Sequence, residues 1–234
     1  MIRCNPSLKN IDSPNTEYMQ AINNQQLKKI EIAHGNSLFA EPGCMVASNN
    51  VTMRSETIAK SIVGSAAASL WSGESVFQNK FSADQGRSGW VALDRDLDLI
   101  ECTLKPGESL TSIRGSLMAR DEDISLTTET QGLSGMWAGT GFITQKLKNE
   151  GNKINRVFLE NSNIIGSIKE IKVKETDGPV IIDSANIAGY TDGFQMKTFR
   201  QGSILSSFAS NEGLMNKFTG SGSIFIKVGK KASR

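Results

Sequence analysis

From Leu27 onward, apolar residues recur at strand-length intervals between turn residues, and no segment keeps a helical period over three turns. Leu27, Ile30 and Ile32 lead into a turn at His34, Gly35 and Asn36. Leu38 to Ala47 then reads as two short strands joined at a Pro42-Gly43 corner. The layout returns 72 residues later: Leu99, Cys102 and Leu104 precede Pro106-Gly107, and Leu110 to Gly115 leads into Ser116 to Ala119. Gly35 matches Gly107, Leu38 matches Leu110, Gly43 matches Gly115 and Ala47 matches Ala119. In a third, degenerate copy Val180 takes the place of Leu38, and Ala185 stands at the corner glycine. A bend with positive φ favours Gly, so an unchanged bend at Ala185 would be strained.

Each copy continues into an eleven-residue block. The blocks run from Trp71 to Phe81, Trp137 to Leu147 and Phe208 to Phe218, starting 66 and 71 residues apart. An aromatic opens each block, a lysine holds its tenth place (Lys80, Lys146, Lys217) and a large apolar residue ends it. Trp71, Trp137 and Phe208 are expected to seat the blocks in the core. Alternating strands at 89–93, 156–159 and 223–226 close the copies. This internal repetition gives an all-β chain of three similar units, about 25–95, 96–162 and 163–229. A polar extension (1–24), with a short helix around 17–22, precedes them, and a basic tail (230–234) follows. The first unit is longest between corner and block. The extra residues fall in 58–70, an apolar stretch rich in small residues, which reads as a packed loop or short helix, or else as a lid or partner-docking surface.

Composition adds little direction. A chain of 234 residues with 38% hydrophobic and 21% charged residues suits a globular protein. Its net charge of +2 does not by itself announce a nucleic-acid surface. Cys4, Cys44 and Cys102 are odd in number and widely spaced, which is read as reduced thiols. The first fifteen residues lack a secretory apolar core, and no run nears the ~20 apolar residues of a membrane span, so a cytoplasmic location is expected.

The candidate chemistry is sparse. His34 is the single histidine, so neither a multi-histidine metal site nor a Ser-His-acid triad assembles well around it. Asp94 to Asp98 starts like a calcium loop, but Leu99 and Lys105 stand where Gly and Glu belong. Asp121 to Asp123 reads as a polar turn, and the Gly139/Gly141 and Gly220/Gly222 pairs lack a dinucleotide fingerprint. No catalytic residue, metal or cofactor is therefore assigned. The lysines Lys80, Lys146 and Lys217 are the binding candidates. In a closed assembly they would form a circle of positive charge able to meet phosphate or an acidic partner. The plainer reading, a solvent-facing strand residue that discourages edge pairing, is favoured for each.

Ala40 to Ala47, Ser72 to Phe77, Gly139 to Phe142 and the ending Phe218 to Phe225 give the sequence a resemblance to the altered-inheritance-of-mitochondria protein 24 family, also described as tryptophan-attenuator-like. The resemblance covers about residues 25–228. It implies three tandem β-sandwich or short double-stranded β-helix modules, similar to the ring-forming tryptophan-binding RNA attenuator. Ala185 and Ser210 depart from the family's glycines, and no tryptophan-binding set carries over.

Three functions are thereby set against one another. The first is a non-enzymatic, cytoplasmic oligomeric scaffold or interaction module. The second is an RNA- or small-anion-binding ring using the lysines, and the third is an enzyme with an unrecognised site. The expected assembly is a homotrimer whose nine modules close as a ring, because outer strand edges near 27–32 and 222–228 would otherwise lie open.

Overall fold

Three groups of six strands share one wiring. A computed structural model describes residues 3–5, 28–57, 77–84, 86–93, 99–113, 115–131, 142–160, 164–200 and 214–231. After β1 (Arg3–Asn5), the first group is β2 (Lys28–Ile32), β3 (Ser37–Ala40), β4 (Met45–Asn49), β5 (Val51–Thr57), β6 (Phe77–Ala83) and β7 (Gly89–Leu93). The second is β8 (Leu99–Leu104), β9 (Ser109–Ile113), β10 (Leu117–Asp121), β11 (Ile124–Gln131), β12 (Phe142–Asn149) and β13 (Asn155–Glu160). The third is β14 (Ile164–Val173), β15 (Val180–Asp183), β16 (Ile187–Thr191), β17 (Phe194–Arg200), β18 (Leu214–Gly220) and β19 (Gly222–Lys231).

In every group the first, sixth and third strands make one antiparallel trio: β2-β7-β4, β8-β13-β10 and β14-β19-β16. The second, fifth and fourth make the other: β3-β6-β5, β9-β12-β11 and β15-β18-β17. A register shift recurs at the same place in each group, between Met45 and Ala47, Leu117 and Ala119, and Ile187 and Gly189. Such bulges bend and twist a strand.

Three cores lie between these trios. Ile30, Leu38, Phe81 and Val91 belong to the first, Leu104, Leu110, Leu147 and Val157 to the second, and Ile182, Ile187, Phe218 and Ile224 to the third. The apolar residue that ends each eleven-residue block is fully buried in its own core: Phe81, Leu147, Phe218. Period-2 alternation places these residues on inward faces.

Neighbouring groups are joined by strand pairing. β10 pairs with β3, and β16 pairs with β9. This fuses one trio of each group with one of the next, giving a seven-stranded sheet (β1-β8-β13-β10-β3-β6-β5) and a six-stranded sheet (β11-β12-β9-β16-β19-β14). The trios β2-β7-β4 and β15-β18-β17 at the two ends stay three-stranded.

Several expectations change. Among the described residues β2 pairs with β7 alone, so the edge expected near 27–32 is open, whereas the one expected near 222–228 is not, since β19 lies between β16 and β14. The strands whose counterparts join neighbouring repeats are β4 and β15, and among the described residues each pairs on one side only. The tail does not begin at 230, because Lys230 and Lys231 still pair with Ile165 and Ile164. Within the extension, β1 pairs with β8, with Cys4 opposite Cys102. Cys102 is disulfide-bonded and Cys44 is not, so the cysteines are not all reduced. Gly43 and Gly115 adopt positive φ (78° and 72°), whereas the third corner is a 3-10 turn, Ser184–Asn186, whose Ala185 amide donates to the Asp183 carboxylate. Capping replaces the left-handed bend, which removes the strain on Ala185. Trp71, Trp137, Phe208, the helix around 17–22, the stretch 58–70 and the calcium-like Asp94 to Asp98 lie outside the described residues.

Candidate functional site

Lys80, Lys146 and Lys217 hold one register position in three sheets. Lys80 in β6 lies opposite Phe39 of β3 and Arg54 of β5. Lys146 in β12 lies opposite Thr111 and Thr127. Lys217 in β18 lies opposite Ile181 of β15 and Lys197 of β17. Their surroundings differ. Lys80 donates to Glu122 in the turn between β10 and β11, lies 4.0 Å from Glu56 and sits over the Phe39 ring. Lys146 lies 3.5 Å from Asp192, in the turn between β16 and β17, and Ser109 donates to the same carboxylate. The lysine of one repeat thus meets a carboxylate of the next. Among the described residues Lys217 has no ion pair. Two of the three charges are therefore locally balanced and one is not.

Partial burial alone would raise the Glu122 carboxyl. Hydrogen bonds from Lys80 and Ser37, with the nearby charges of Lys80 and Lys153, outweigh it and hold the group below the usual carboxylate range. At the same junction, burial pushes Arg120 down to about 10. Its guanidinium stacks on Phe39 and donates to Gln78 Oε1 and to the Ile124 carbonyl. Sequence reasoning missed Glu122 and Asp192. The available signal was an acid in the corresponding turn of the following repeat.

A cleft of about 440 Å³ lies between the first two groups, lined by Glu31, Asn36, Asp121, Lys153 and Arg156 among others. Arg156 grips Asp121 through Nε and Nη2 (3.0 and 2.9 Å) and donates to the Glu31 carbonyl. Burial opposes the charge on Arg156, but the Asp121 contacts more than offset it and raise its pKa. Lys153 donates to Asn36 Oδ1. These polar groups tie the repeats to one another. His34 is exposed in its turn, and its Nδ1 accepts from the Gly86 amide at 3.1 Å. No group of three or more His, Cys, Asp or Glu suited to a metal occurs among the described residues, and no helix there is long and apolar enough to cross a membrane.

Two of the sheet edges among the described residues, β4 and β15, carry the second set of candidates. Met45 and Val46 of β4 are 36% and 44% exposed. Register places them level with Leu117 and Met118 in β10 and with Ile187 and Ala188 in β16. Those four are 3%, 2%, 0% and 0% exposed where a preceding trio adjoins them. Ile181 of β15, level with Phe39 and Thr111, is 52% exposed. The first and last repeats thus keep apolar residues at the positions where the internal junctions are made.

A profile of the family described as mitochondrial biogenesis AIM24 matches residues 19–227. The chain belongs to the AIM24 family. It is 27% identical over 209 residues to an uncharacterized protein of Streptococcus pyogenes serotype M6, covering 86% of this chain and 80% of that protein. Its fold is similar to the X-ray crystal structure of protein SPYM3_0169 from Streptococcus pyogenes, with a TM-score of 0.66 and 23% identity over 88% of this chain and 90% of that one. In this AIM24 chain, the all-β repeat and the exposed apolar edges at β4 and β15 are the features that bear on function.

Proposed function

We propose that this chain is a non-enzymatic scaffold or interaction module that associates head to tail with copies of itself, three chains closing as a ring. One observation carries the reading: among the described residues β4 and β15 each pair on one side only, and their apolar positions are exposed where the equivalent strands are joined inside the chain. The internal junctions join the second trio of one repeat to the first trio of the next. The free second trio (β15-β18-β17) and the free first trio (β2-β7-β4) are complementary in the same sense. Contacts between unlike surfaces of identical chains propagate until they close, and open apolar edges otherwise invite aggregation. The non-enzymatic part rests on the residue inventory, with its single histidine. The disulfide at Cys102 points away from a cytoplasmic site, since such bonds persist mainly in oxidising compartments.

Light scattering behind a sizing column tests the assembly. Three copies of a 25.3 kDa chain give about 76 kDa. A monomer mass at micromolar concentration would sink the ring. The competing reading, RNA bound along the lysines, has less support because Lys80 and Lys146 already face carboxylates.

A further inference from the structure

We propose that the junction between copies contains an oxyanion site absent from the internal junctions, built from Lys217 and Lys197 of one copy and the Asn49-Asn50 turn of the next. The proposal rests on the head-to-tail reading above.

Each internal junction places a carboxylate at one spot. Glu122 receives Lys80 and Ser37, and Asp192 receives Lys146 and Ser109. Transferring that register to the open ends sets Ala47 against Ile182, Ser48 against Ile181 and Asn49 against Val180. The lysine survives there as Lys217, but its other partners are gone. Pro179 stands where Ser37 and Ser109 donate. The stretch from the bulge to the next strand is one residue shorter, Ala47 to Val51 against Ala119 to Ile124 and Gly189 to Phe194, and it carries two asparagines and no acid.

The charge left behind is one-sided. Lys197 lies directly opposite Lys217, both exposed. Like charges facing across an antiparallel pair repel. In the first repeat Arg54 also faces Lys80, but Glu56 and Glu122 offset the two cations. Among the described residues no acid does so for Lys197 and Lys217. A second copy docked on β15 brings asparagine amides, which donate to oxygen but do not neutralise an ammonium. A small oxyanion with several acceptor oxygens fits the place of the missing carboxylate, and ammonium groups bind such ions as point charges. Bound there, it turns two repelling lysines into part of the interface.

The test compares the mass of the full chain by light scattering in sodium phosphate and in sodium chloride of equal ionic strength. Phosphate should tighten self-association about tenfold, the effect of one added charge-assisted contact. Lys217→Glu, which sets a carboxylate against Lys197 at an exposed position, should associate without phosphate and lose the response to it. A wild-type chain that associates equally in both media overturns the oxyanion site and leaves the head-to-tail reading standing. So does a variant that responds to phosphate like the wild type, because the effect is then general exclusion of the salt from protein surface. A single-stranded RNA oligonucleotide that drives association where phosphate does not also overturns it. Monomer masses for both proteins in both media overturn the head-to-tail reading together with the site.

Discussion

Lys80 in β6 and Glu122 in the turn between β10 and β11 pair across the boundary between the first and second repeats, and Lys146 with Asp192 repeats the arrangement across the second boundary. The ion pair is thus an element of the repeat that lies between units. Lys80 is well covered and Glu122 about half exposed, so solvent screens the pair. A double-mutant cycle of Lys80→Met and Glu122→Gln should return a coupling of about 0.2–1 kcal/mol in urea unfolding, reduced by added salt. A coupling near zero would mean that strand pairing alone joins the repeats.

Phe218 illustrates how the third repeat holds its core. It is fully buried, and Tyr190 and Phe194 meet its ring edge-on at centroid distances of 5.2 and 5.7 Å. Tyr190 belongs to β16, which also pairs with β9 of the second repeat. Phe218→Ala should cost about 3–5 kcal/mol. Denaturant unfolding measures this, and a loss below about 1 kcal/mol would show that the third core does not contribute to the cooperative unit.

Much of this was legible in the sequence, for identifiable reasons. Alternation fixes which face of a strand is buried, and corner glycines fix where strands end. The repeated block therefore put Lys80, Lys146 and Lys217 at one register position, whereas the core expectation fell on Trp71, Trp137 and Phe208 and overlooked the block-ending Phe81, Leu147 and Phe218, which are buried. Alternation does not name a strand's partner. The pairing of β10 with β3, distant in sequence, was hidden, and with it the open edges at β4 and β15 and the roles of Glu122 and Asp192. The corner at Ala185 was foreseen as a problem, but its solution by the Asp183 cap needed coordinates.

Lys227 should make stability depend on pH. It is buried on β19, and burial lowers its pKa to about 8 from 10.5, opposed by the charge of Glu160. The folded state therefore holds this proton less tightly than the unfolded chain. The cost of burying the ammonium is present in full below about pH 8 and is relieved as pH rises toward 10.5, so stability rises in that window. The gain attributable to this group is on the order of 3 kcal/mol when complete. Urea midpoints at about pH 7.5 and about pH 9.5 should show a rise in the wild type that is absent in Lys227→Met, which has no titrating group at this position. Equal pH slopes for the two proteins would remove Lys227 as the cause.

The register of the junction between copies can be tested by exchanging charge. Ile181 is 52% exposed on β15, and the internal junctions place its counterparts Phe39 and Thr111 opposite Arg120 and Tyr190. The equivalent of those two on β4 is Ser48, also exposed. Ile181→Lys adds a third cation beside Lys197 and Lys217 and removes the exposed apolar contact, while leaving the core untouched. It should weaken self-association at least about tenfold. Ser48→Glu in the same chain supplies the opposite charge to the next copy at the facing position, so the double variant should recover most of the loss. Val46→Glu, two positions from Ser48, should rescue less, because Val46 lies in the bulge between Met45 and Ala47, outside the regular register that sets Ser48 against Ile181. Light scattering across a concentration series gives all four dissociation constants, counting the wild type. Recovery by Val46→Glu but not by Ser48→Glu would place the copies one or more residues out of the register copied from β10 and β3. Recovery by neither would show that β4 is not the strand that β15 meets.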